Sequence, residues 1–368
     1  MKPILFLLFL LSAVYTALVL IPAANDLLWP AVTVAAELWP YFIALNVLGL
    51  LLSLFKWRLL ALVFLLGLGV SSWPMLSVPS LNQSMAAQWD AQGFRQPVDE
   101  APEIADLLES SFTDFYSPRM TPQTLNMGMA FYPPPPSSNT LAPIIIHIHG
   151  GAWQFGSAAD NRAALSRLAN QGYAVFSVAY RFAPQFTFPA QLEDVQSALT
   201  WIHDNANSYQ ADSSRIALIG RSAGAQLAML AAYTSEIPVR GVVSYYGPTE
   251  LAAMYEDPPV HDPMDIRDKL VDLLGGTPAD IPELYAQASP TSSLRNRLPP
   301  TLQITGARDI IVKARFPREW HETLVNYGES SLLLEIPWSF HAFDAVYFAP
   351  GNQLAKFHLD RFLNEVMN

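Results

Sequence analysis

Apolar positions divide the chain into two parts that follow different patterns. Residues 3–25 contain no charged side chain, and residues 38–55 and 59–76 form two further uncharged runs. Each run is long enough to cross ~30 Å of hydrocarbon as a helix, and none has the polar face of a soluble amphipathic helix. This pattern predicts a membrane anchor over residues 1–78 with three transmembrane helices, at about 3–24, 36–55 and 59–77.

Beyond a polar linker predicted at 79–100, short apolar runs alternate with amphipathic helical stretches. The apolar runs lie at 144–148, 174–179, 216–219, 242–246, 301–304 and 332–336. This alternation is typical of a mostly parallel sheet covered by helices on both faces. The predicted fold class for residues 101–368 is therefore α/β, with the long connection 247–300 as a cap or lid.

The few charges near the anchor predict its orientation. Lys2 precedes the first run, and Lys56 and Arg58 lie between the second and third, whereas the first loop carries only Asp26 and Glu37. Positive residues favour the cytoplasmic side, which places the N-terminus in the cytoplasm and residues after 78 in the periplasm or outside the cell. Tryptophans near the span ends fit interfacial anchoring: Trp29, Trp39, Trp57 and Trp73. A cleaved signal peptide is the alternative for the first run.

The composition narrows the classes of function. The chain has a net charge of −11, and an acidic protein is a poor partner for nucleic acid, so none is predicted. Since the chain has zero cysteines, it has no cysteine nucleophile and no thiolate metal site. No cluster of histidine and glutamate has metal-ligand spacing, so no metal is predicted.

Residues 220–224 read Gly-Arg-Ser-Ala-Gly, between an apolar run and a helix-forming stretch. A Gly-x-Ser-x-Gly sequence at a strand-to-helix turn is typical of a nucleophile elbow, because the glycines relieve crowding and the serine hydroxyl is left exposed. Ser222 is therefore the candidate nucleophile. The alternative is a serine that merely caps the following helix.

Further candidates lie at the carboxyl ends of other predicted strands, where functional residues of parallel sheets collect. The order Ser222, Asp309, His341 is that of α/β-hydrolases. His341 is the predicted general base, and Asp309 would orient its ring. The predicted donors to an oxyanion are the backbone N–H groups of Gly151 and Ala223, together with Gly150.

Alternatives exist for some of these residues. Asp309 has the position of a helix N-cap, and Asp344 is the rival carboxylate, although a local pairing or capping role fits it better. His147 and His149 fit structural roles in shaping the loop after the first run of the sheet.

These segments resemble the carboxylesterase and lipase branch of the α/β-hydrolase family, which includes feruloyl-esterase-like and hormone-sensitive-lipase-like enzymes. The matching motifs are His149-Gly150-Gly151-Ala152-Trp153, Tyr180-Arg181-Phe182-Ala183-Pro184, Phe188-Pro189-Ala190 with Asp194, Gly220–Gly224, Leu273-Leu274-Gly275-Gly276-Thr277-Pro278, Ala288-Ser289-Pro290 and Gly306–Asp309. The resemblance implies a serine carboxylic-ester hydrolase that needs no cofactor. Two departures are Ala152, where a third glycine is frequent, and Arg221, which favours the feruloyl-esterase-like group.

The expected activity is a membrane-anchored serine hydrolase that forms an acyl-enzyme intermediate. Its expected substrate is a small-molecule, lipid or acylated-glycan ester, with Trp153 and Tyr246 as candidate contacts. Three alternatives remain open from the sequence: an acyltransferase using the same residues, a cytosol-facing enzyme similar to prenylcysteine methyl-esterases, and a non-catalytic binding module. The oligomeric state is not predicted.

Overall fold

A computed structural model describes residues 2–20, 28–53, 58–94, 101–115, 120–136, 140–260 and 262–368. Its N-terminal part is helical. The four helices are α1 (Lys2–Leu20), α2 (Trp29–Glu37), α3 (Trp39–Ser53) and α4 (Arg58–Ala91).

The rest of the described chain forms one eight-stranded sheet flanked by helices. Its strands are β1 (Gln123–Thr124), β2 (Ala130–Tyr132), β3 (Ala142–Ile148), β4 (Ala174–Val178), β5 (Ala211–Arg221), β6 (Gly241–Tyr245), β7 (Thr301–Gly306) and β8 (Ser331–Ile336). The strand order is β1-β2-β4-β3-β5-β6-β7-β8. Strand β2 pairs antiparallel with both of its neighbours, β1 and β4. All the remaining pairs in the sheet are parallel. The mostly parallel sheet with covering helices agrees with the predicted α/β class.

Helices cover both faces of the sheet and fill the connection between β6 and β7. They are α5 (Ile104–Phe115), α6 (Arg162–Asn170), α7 (Ala190–Asn205), α8 (Ala223–Thr234), α9 (Leu251–Glu256), α10 (Ile266–Leu274), α11 (Pro282–Ala288), α12 (Arg315–Tyr327) and α13 (Pro350–Met367). Alternate residues of β3 enter opposite cores: Ile144 and Ile146 join one apolar cluster, and Ile145 joins the other. A strand buried on both faces explains why its sequence is continuously apolar.

The predicted second span is not one straight helix. Instead, α2 and α3 meet at an angle of 73°. Among the described residues, two helices, Pro3–Leu20 and Leu59–Ala91, are long and apolar enough to cross a membrane, and the bent pair makes a third candidate if it forms one span. Trp39, which begins α3, is buried and its ring lies 6.3 Å from that of Trp338. The bent pair therefore packs on the sheet domain.

The linker predicted at 79–100 lies outside the described ranges over residues 95–100 and differs from the structure over residues 79–91, because helix α4 continues through Pro74 and Pro79 to Ala91. Its last turns bury Met85 and Trp89 in the core. The Gln88 side chain donates to the Leu333 carbonyl at 3.1 Å and accepts from the Leu333 amide at 2.7 Å. These bonds cover the edge of strand β8, where backbone groups would otherwise lack partners. Gln88, which covers this strand edge, is one of the polar residues that suggested a linker.

Candidate active site

The turn between β5 and α8 holds Ser222 in a strained conformation. Its φ of 51° and ψ of −122° lie outside the usual regions for residues with a side chain. A Cβ atom on Gly220 would lie 2.2 Å from the Gly224 carbonyl oxygen, and one on Gly224 would lie 2.2 Å from the His149 carbonyl oxygen. Glycine is therefore required at both positions. The Ser222 side chain forms no cap bond to α8, so the helix-cap alternative is wrong.

Ser222, His341 and Asp309 form a continuous chain of hydrogen bonds. His341 Nε2 lies 3.0 Å from Ser222 Oγ, and His341 Nδ1 lies 2.7 Å from Asp309 Oδ2. The other Asp309 oxygen accepts from the backbone amides of Ile311 at 2.8 Å and Val312 at 2.9 Å. The two roles predicted for Asp309, helix N-cap and partner of His341, are therefore compatible, because one oxygen caps the turn and the other orients the histidine.

The loop after β3 brings Gly150 and Gly151 close to Ser222. A Cβ atom on Gly150 would lie 2.9 Å from the Arg221 carbonyl oxygen and 3.3 Å from Ser222 Cβ. Gly151 has a φ of +118°, and a Cβ there would lie 1.9 Å from the Phe155 carbonyl oxygen. Both glycines line the same cavity as Ser222, and Ala223 follows Ser222 in the chain. The three predicted oxyanion donors therefore lie beside the serine.

The two histidines near this loop have structural partners. His147 Nδ1 lies 2.9 Å from Ser177 Oγ. His149 Nδ1 lies 2.6 Å from the Gly150 carbonyl oxygen, and its ring stacks on Tyr180 with centroids 4.5 Å apart. Burial lowers the pKa of both rings, that of His147 well below its ordinary value. Neither contacts Ser222, in agreement with the structural roles predicted.

A cavity of about 320 Å³ opens at Ser222 and His341. Its walls are mainly apolar, with Trp153 and Phe155 from the loop after β3. The 247–300 connection adds four more apolar side chains, namely Pro248, Met254, Met264 and Ile266. The Trp153 indole N–H donates to Gln226 at 3.0 Å, which fixes this ring in the wall.

A buried ion pair forms the polar side of the cavity. Arg221 Nε lies 2.6 Å from one Asp344 oxygen, and the Tyr246 hydroxyl donates to the other at 2.5 Å. Burial disfavours the charge on Arg221, but the Asp344 carboxylate outweighs this and raises the pKa of the guanidinium. Asp344 thus pairs across 123 positions, so the local pairing expected for it is wrong. The Tyr246 ring lies 4.5 Å from that of His341, in the cavity wall.

The exposed Arg181 forms an ion pair with Asp194, with Arg181 Nε 2.9 Å from Asp194 Oδ2. This pair lies at the start of α7. Neither residue lines the cavity, which agrees with a role in the fold.

The N-terminal helices contact both loops that carry Asp309 and His341. Trp29 lines the cavity, with its ring centroid 6.4 Å from that of His341. Glu37 is fully buried and accepts from the Ser339 hydroxyl and, at 3.2 Å, from the Gly351 amide. Arg308 donates to the Val19 carbonyl at the end of α1. Sequence reasoning missed these contacts, although a lone glutamate between apolar runs was a signal that it had a specific partner.

Comparison with known proteins identifies the family. A family model described as BD-FAE matches residues 129–324. The chain belongs to the BD-FAE family. The match starts before β2 and ends within α12, so it includes Ser222 and Asp309 but not the N-terminal helices or His341.

Curated relatives of this BD-FAE chain are named esterases. Esterase LipC of Mycobacterium tuberculosis is 33% identical over 241 residues, which cover 61% of this chain and 59% of that protein. Esterase LipQ of the same organism is 30% identical, over 58% of this chain and 53% of that protein. The chain thus spans little more than half the length of these relatives.

Solved structures share the fold. A bacterial heroin esterase aligns with a TM-score of 0.58 and 26% identity, over 65% of this chain and 80% of that one. A Pyrobaculum calidifontis esterase aligns with a TM-score of 0.58 and 22% identity, over 75% of this chain and 98% of that one. The sheet domain therefore has the α/β-hydrolase fold of esterases.

Proposed function

We propose that the protein is a membrane-anchored serine hydrolase that cleaves carboxylic esters through an acyl-enzyme intermediate. The observation that carries the proposal is the hydrogen-bonded chain from Asp309 through His341 to Ser222, at the floor of an apolar cavity. Esterase names among its relatives support the same reaction class. The BD-FAE family match supports the placement of Ser222 and Asp309 within the shared domain.

In the first half-reaction, Ser222 Oγ attacks the ester carbonyl carbon as its proton passes to His341 Nε2. Asp309 accepts from Nδ1, which fixes the tautomer and stabilises the imidazolium. The N–H groups of Gly150, Gly151 and Ala223 stabilise the negative oxygen of the tetrahedral intermediate. The bond from carbonyl carbon to leaving oxygen then breaks, and His341 returns the proton to the departing alcohol.

In the second half-reaction, water attacks the acyl group on Ser222 and gives a proton to His341. The carbon–Oγ bond breaks, the carboxylic acid leaves, and Ser222 recovers the proton. The cavity of about 320 Å³ fits a short or medium acyl group, because its walls are mainly apolar.

The anchor is the second part of the proposal. Three N-terminal spans cross the bilayer, with the bent pair α2 and α3 counted as one span, so that a cytoplasmic N-terminus places the hydrolase domain on the periplasmic or extracellular side. Support comes from the length and apolar composition of these helices and from the positions of Lys2, Lys56 and Arg58. Protease added to intact spheroplasts should remove a C-terminal tag; a protected tag on a membrane-bound protein would place the domain in the cytosol.

The catalytic proposal is tested with the purified full-length chain in detergent. A fluorophosphonate probe should label the protein, and a Ser222→Ala variant should lose both labelling and hydrolysis of an aryl acetate. Ser157→Ala is the control, because this exposed hydroxyl hydrogen-bonds Asp160 at 3.1 Å and not His341. Retained hydrolysis in Ser222→Ala, or no labelling of the folded wild type, would contradict the proposal.

A further inference from the structure

A second cavity, of about 520 Å³, lies between the end of α1 and the middle of α4. It is separate from the Ser222 cavity, and its lining is aliphatic and aromatic except for one cation: Val19, Leu20, Leu65, Leu66, Gly69, Val70, Trp73 and Arg308. Leu66 and Leu20 are 57% and 56% exposed, so the cleft opens to the outside of the helical bundle. An aqueous surface rarely leaves such side chains uncovered.

Gly69 accounts for the depth of this cleft. A Cβ atom at Gly69 would meet nothing within 4 Å. Gly67, two residues earlier, packs closely against neighbouring helices, because a Cβ there would lie 2.6 Å from both Asn46 Oδ1 and Ser12 Oγ. The space at Gly69 is therefore a property of this face of α4 and not of the whole helix.

Arg308 places a charge at the upper end of the cleft. Its guanidinium donates to the Val19 carbonyl and lies 4.5 Å from the centre of the Phe340 ring. No carboxylate of the described ranges lies within ion-pair distance of it. Desolvation by burial lowers the pKa of this guanidinium, so its charge is poorly solvated. An arginine has five N–H donors arranged to bind phosphate, and within the described ranges the Arg308 guanidinium has one hydrogen-bond partner, the Val19 carbonyl.

The placement of the lining residues matches the depth of a bilayer leaflet. Leu65 and Leu66 lie about two helical turns below Trp73 at 1.5 Å per residue. Trp73 is 45% exposed, and an exposed tryptophan near a span end marks the membrane interface. Aliphatic side chains thus lie deeper than the tryptophan, and the cation lies beside the last turn of α1.

We propose that this cleft binds one anionic phospholipid, with its phosphate on Arg308 and an acyl chain along Leu65, Leu66 and Gly69. The inference rests on the membrane anchoring proposed above but not on the esterase activity. A zwitterionic lipid fits less well, because its own cation would oppose the guanidinium. The proposed lipid site lies next to the candidate active site. Arg308 directly precedes Asp309, and Phe340, whose ring contacts Arg308, directly precedes His341.

The experiment uses the full-length chain with Ser222→Ala, so that no lipid is hydrolysed. Native mass spectrometry from neutral detergent measures retention of phosphatidylglycerol against phosphatidylcholine, and thermal unfolding measures stabilisation by each lipid. We expect one tightly retained phosphatidylglycerol and a concentration-dependent rise in Tm. Equal retention of both lipids would overturn the proposal.

Two variants locate the lipid. Gly69→Leu fills open space on a helix that tolerates leucine better than glycine, and Arg308→Gln removes the cation. Each should weaken retention of phosphatidylglycerol about tenfold or more, as expected for the loss of a charged hydrogen bond or of the acyl site. Arg308→Lys should retain it, and Leu62→Phe, on an exposed position outside the cleft, is the matched control.

Other results would distinguish a lipid site from a free-anion site, and the lipid proposal from the proposed function. Unchanged retention in Gly69→Leu would contradict the site, whatever Arg308→Gln does. If inorganic phosphate alone raised Tm as much as the phospholipid, the ligand would be a free anion and the lipid proposal would fail. A protein that binds the lipid but, as wild type, hydrolyses no ester would refute the proposed function and leave this inference standing.

Discussion

The Glu37 carboxylate accepts a hydrogen bond from the Ser339 hydroxyl across 302 positions of the chain. Ser339 lies two residues before His341, and its carbonyl oxygen accepts from the Arg308 amide at 3.1 Å, in the loop that carries Asp309. One buried side chain of α2 therefore holds the point where both loops meet. The N-terminal part of the chain is built into the candidate active site as well as preceding it.

Removing this carboxylate should lower turnover more than substrate binding. Glu37→Ala leaves the Ser339 hydroxyl and the Gly351 amide without their acceptor, at a cost of about 1–3 kcal/mol for each buried group. The loop that carries His341 then loses its fixed position, so kcat should fall at least tenfold with KM nearly unchanged. Kinetics on an aryl ester, together with Tm, measure this effect.

Glu37→Gln is the informative partner of that variant, because its amide oxygen can still accept one of the two hydrogen bonds. It should recover part of the lost kcat. Glu283→Gln, at an exposed position of α11, should change nothing. If Glu37→Ala lowered Tm but left kcat intact at temperatures where the protein is folded, Glu37 would have a purely structural role.

Substitutions of Asp309 and Asp344 should have different effects, the first mainly on kcat and the second mainly on Tm. Asp309→Asn keeps the oxygen that caps the turn but loses the acceptor for His341 Nδ1, so kcat should fall about 10³–10⁴-fold with little change in Tm. Asp344→Asn removes the charge that faces Arg221 and should lower Tm more. The opposite ranking of the two kcat values would identify Asp344 as the orienting carboxylate.

Removing one partner of the ion pair between Arg221 and Asp344 should lower the free energy of unfolding strongly. Both side chains are buried, with exposed fractions of 7% and 3%, so Arg221→Met leaves an uncompensated carboxylate. The expected loss is about 3–5 kcal/mol of the free energy of unfolding. Denaturant unfolding in detergent measures it. Arg318→Met, which breaks a more exposed pair with Glu335, is the control and should shift stability far less; equal losses would contradict the argument.

Trp29 should set the length of acyl group that the cavity accepts. Its ring closes one wall beside His341, and its indole N–H has no partner among the described residues. Trp29→Ala should shift the preference of kcat/KM toward longer acyl chains, whereas Trp29→Phe keeps the wall and should keep the preference. A panel of aryl esters of increasing chain length measures this. The same chain-length profile in wild type and Trp29→Ala would exclude Trp29 from the acyl site.

The sequence predicted residues whose role follows from local context. Ser222, Asp309 and His341 each follow an apolar strand, and the ends of parallel strands meet at one edge of a sheet. Glu37, Gln88 and Trp29 could not be found in this way, because their partners lie hundreds of positions away and no local periodicity encodes them. The sequence predicted only membrane spans for the uncharged runs, although Trp39 of the second run packs on the sheet domain, because an apolar helix face looks the same whether lipid or protein covers it.

Acidification should destabilise the fold through its buried neutral histidines. Both ring nitrogens of His358 in α13 are buried without a hydrogen-bond partner among the described residues, and burial, with a smaller contribution from Arg361, lowers the pKa of this ring to about 3. The unfolded chain, with a histidine pKa of about 6.5, therefore binds more protons between pH 6.5 and 3. Stability should fall as pH falls through this window, by up to about 1.4 kcal/mol per pH unit for this residue. His358→Leu should flatten the dependence of Tm on pH between 7 and 4, whereas His203→Leu, at a partly exposed position, should not; parallel curves for wild type and His358→Leu would show that His358 does not cause the loss.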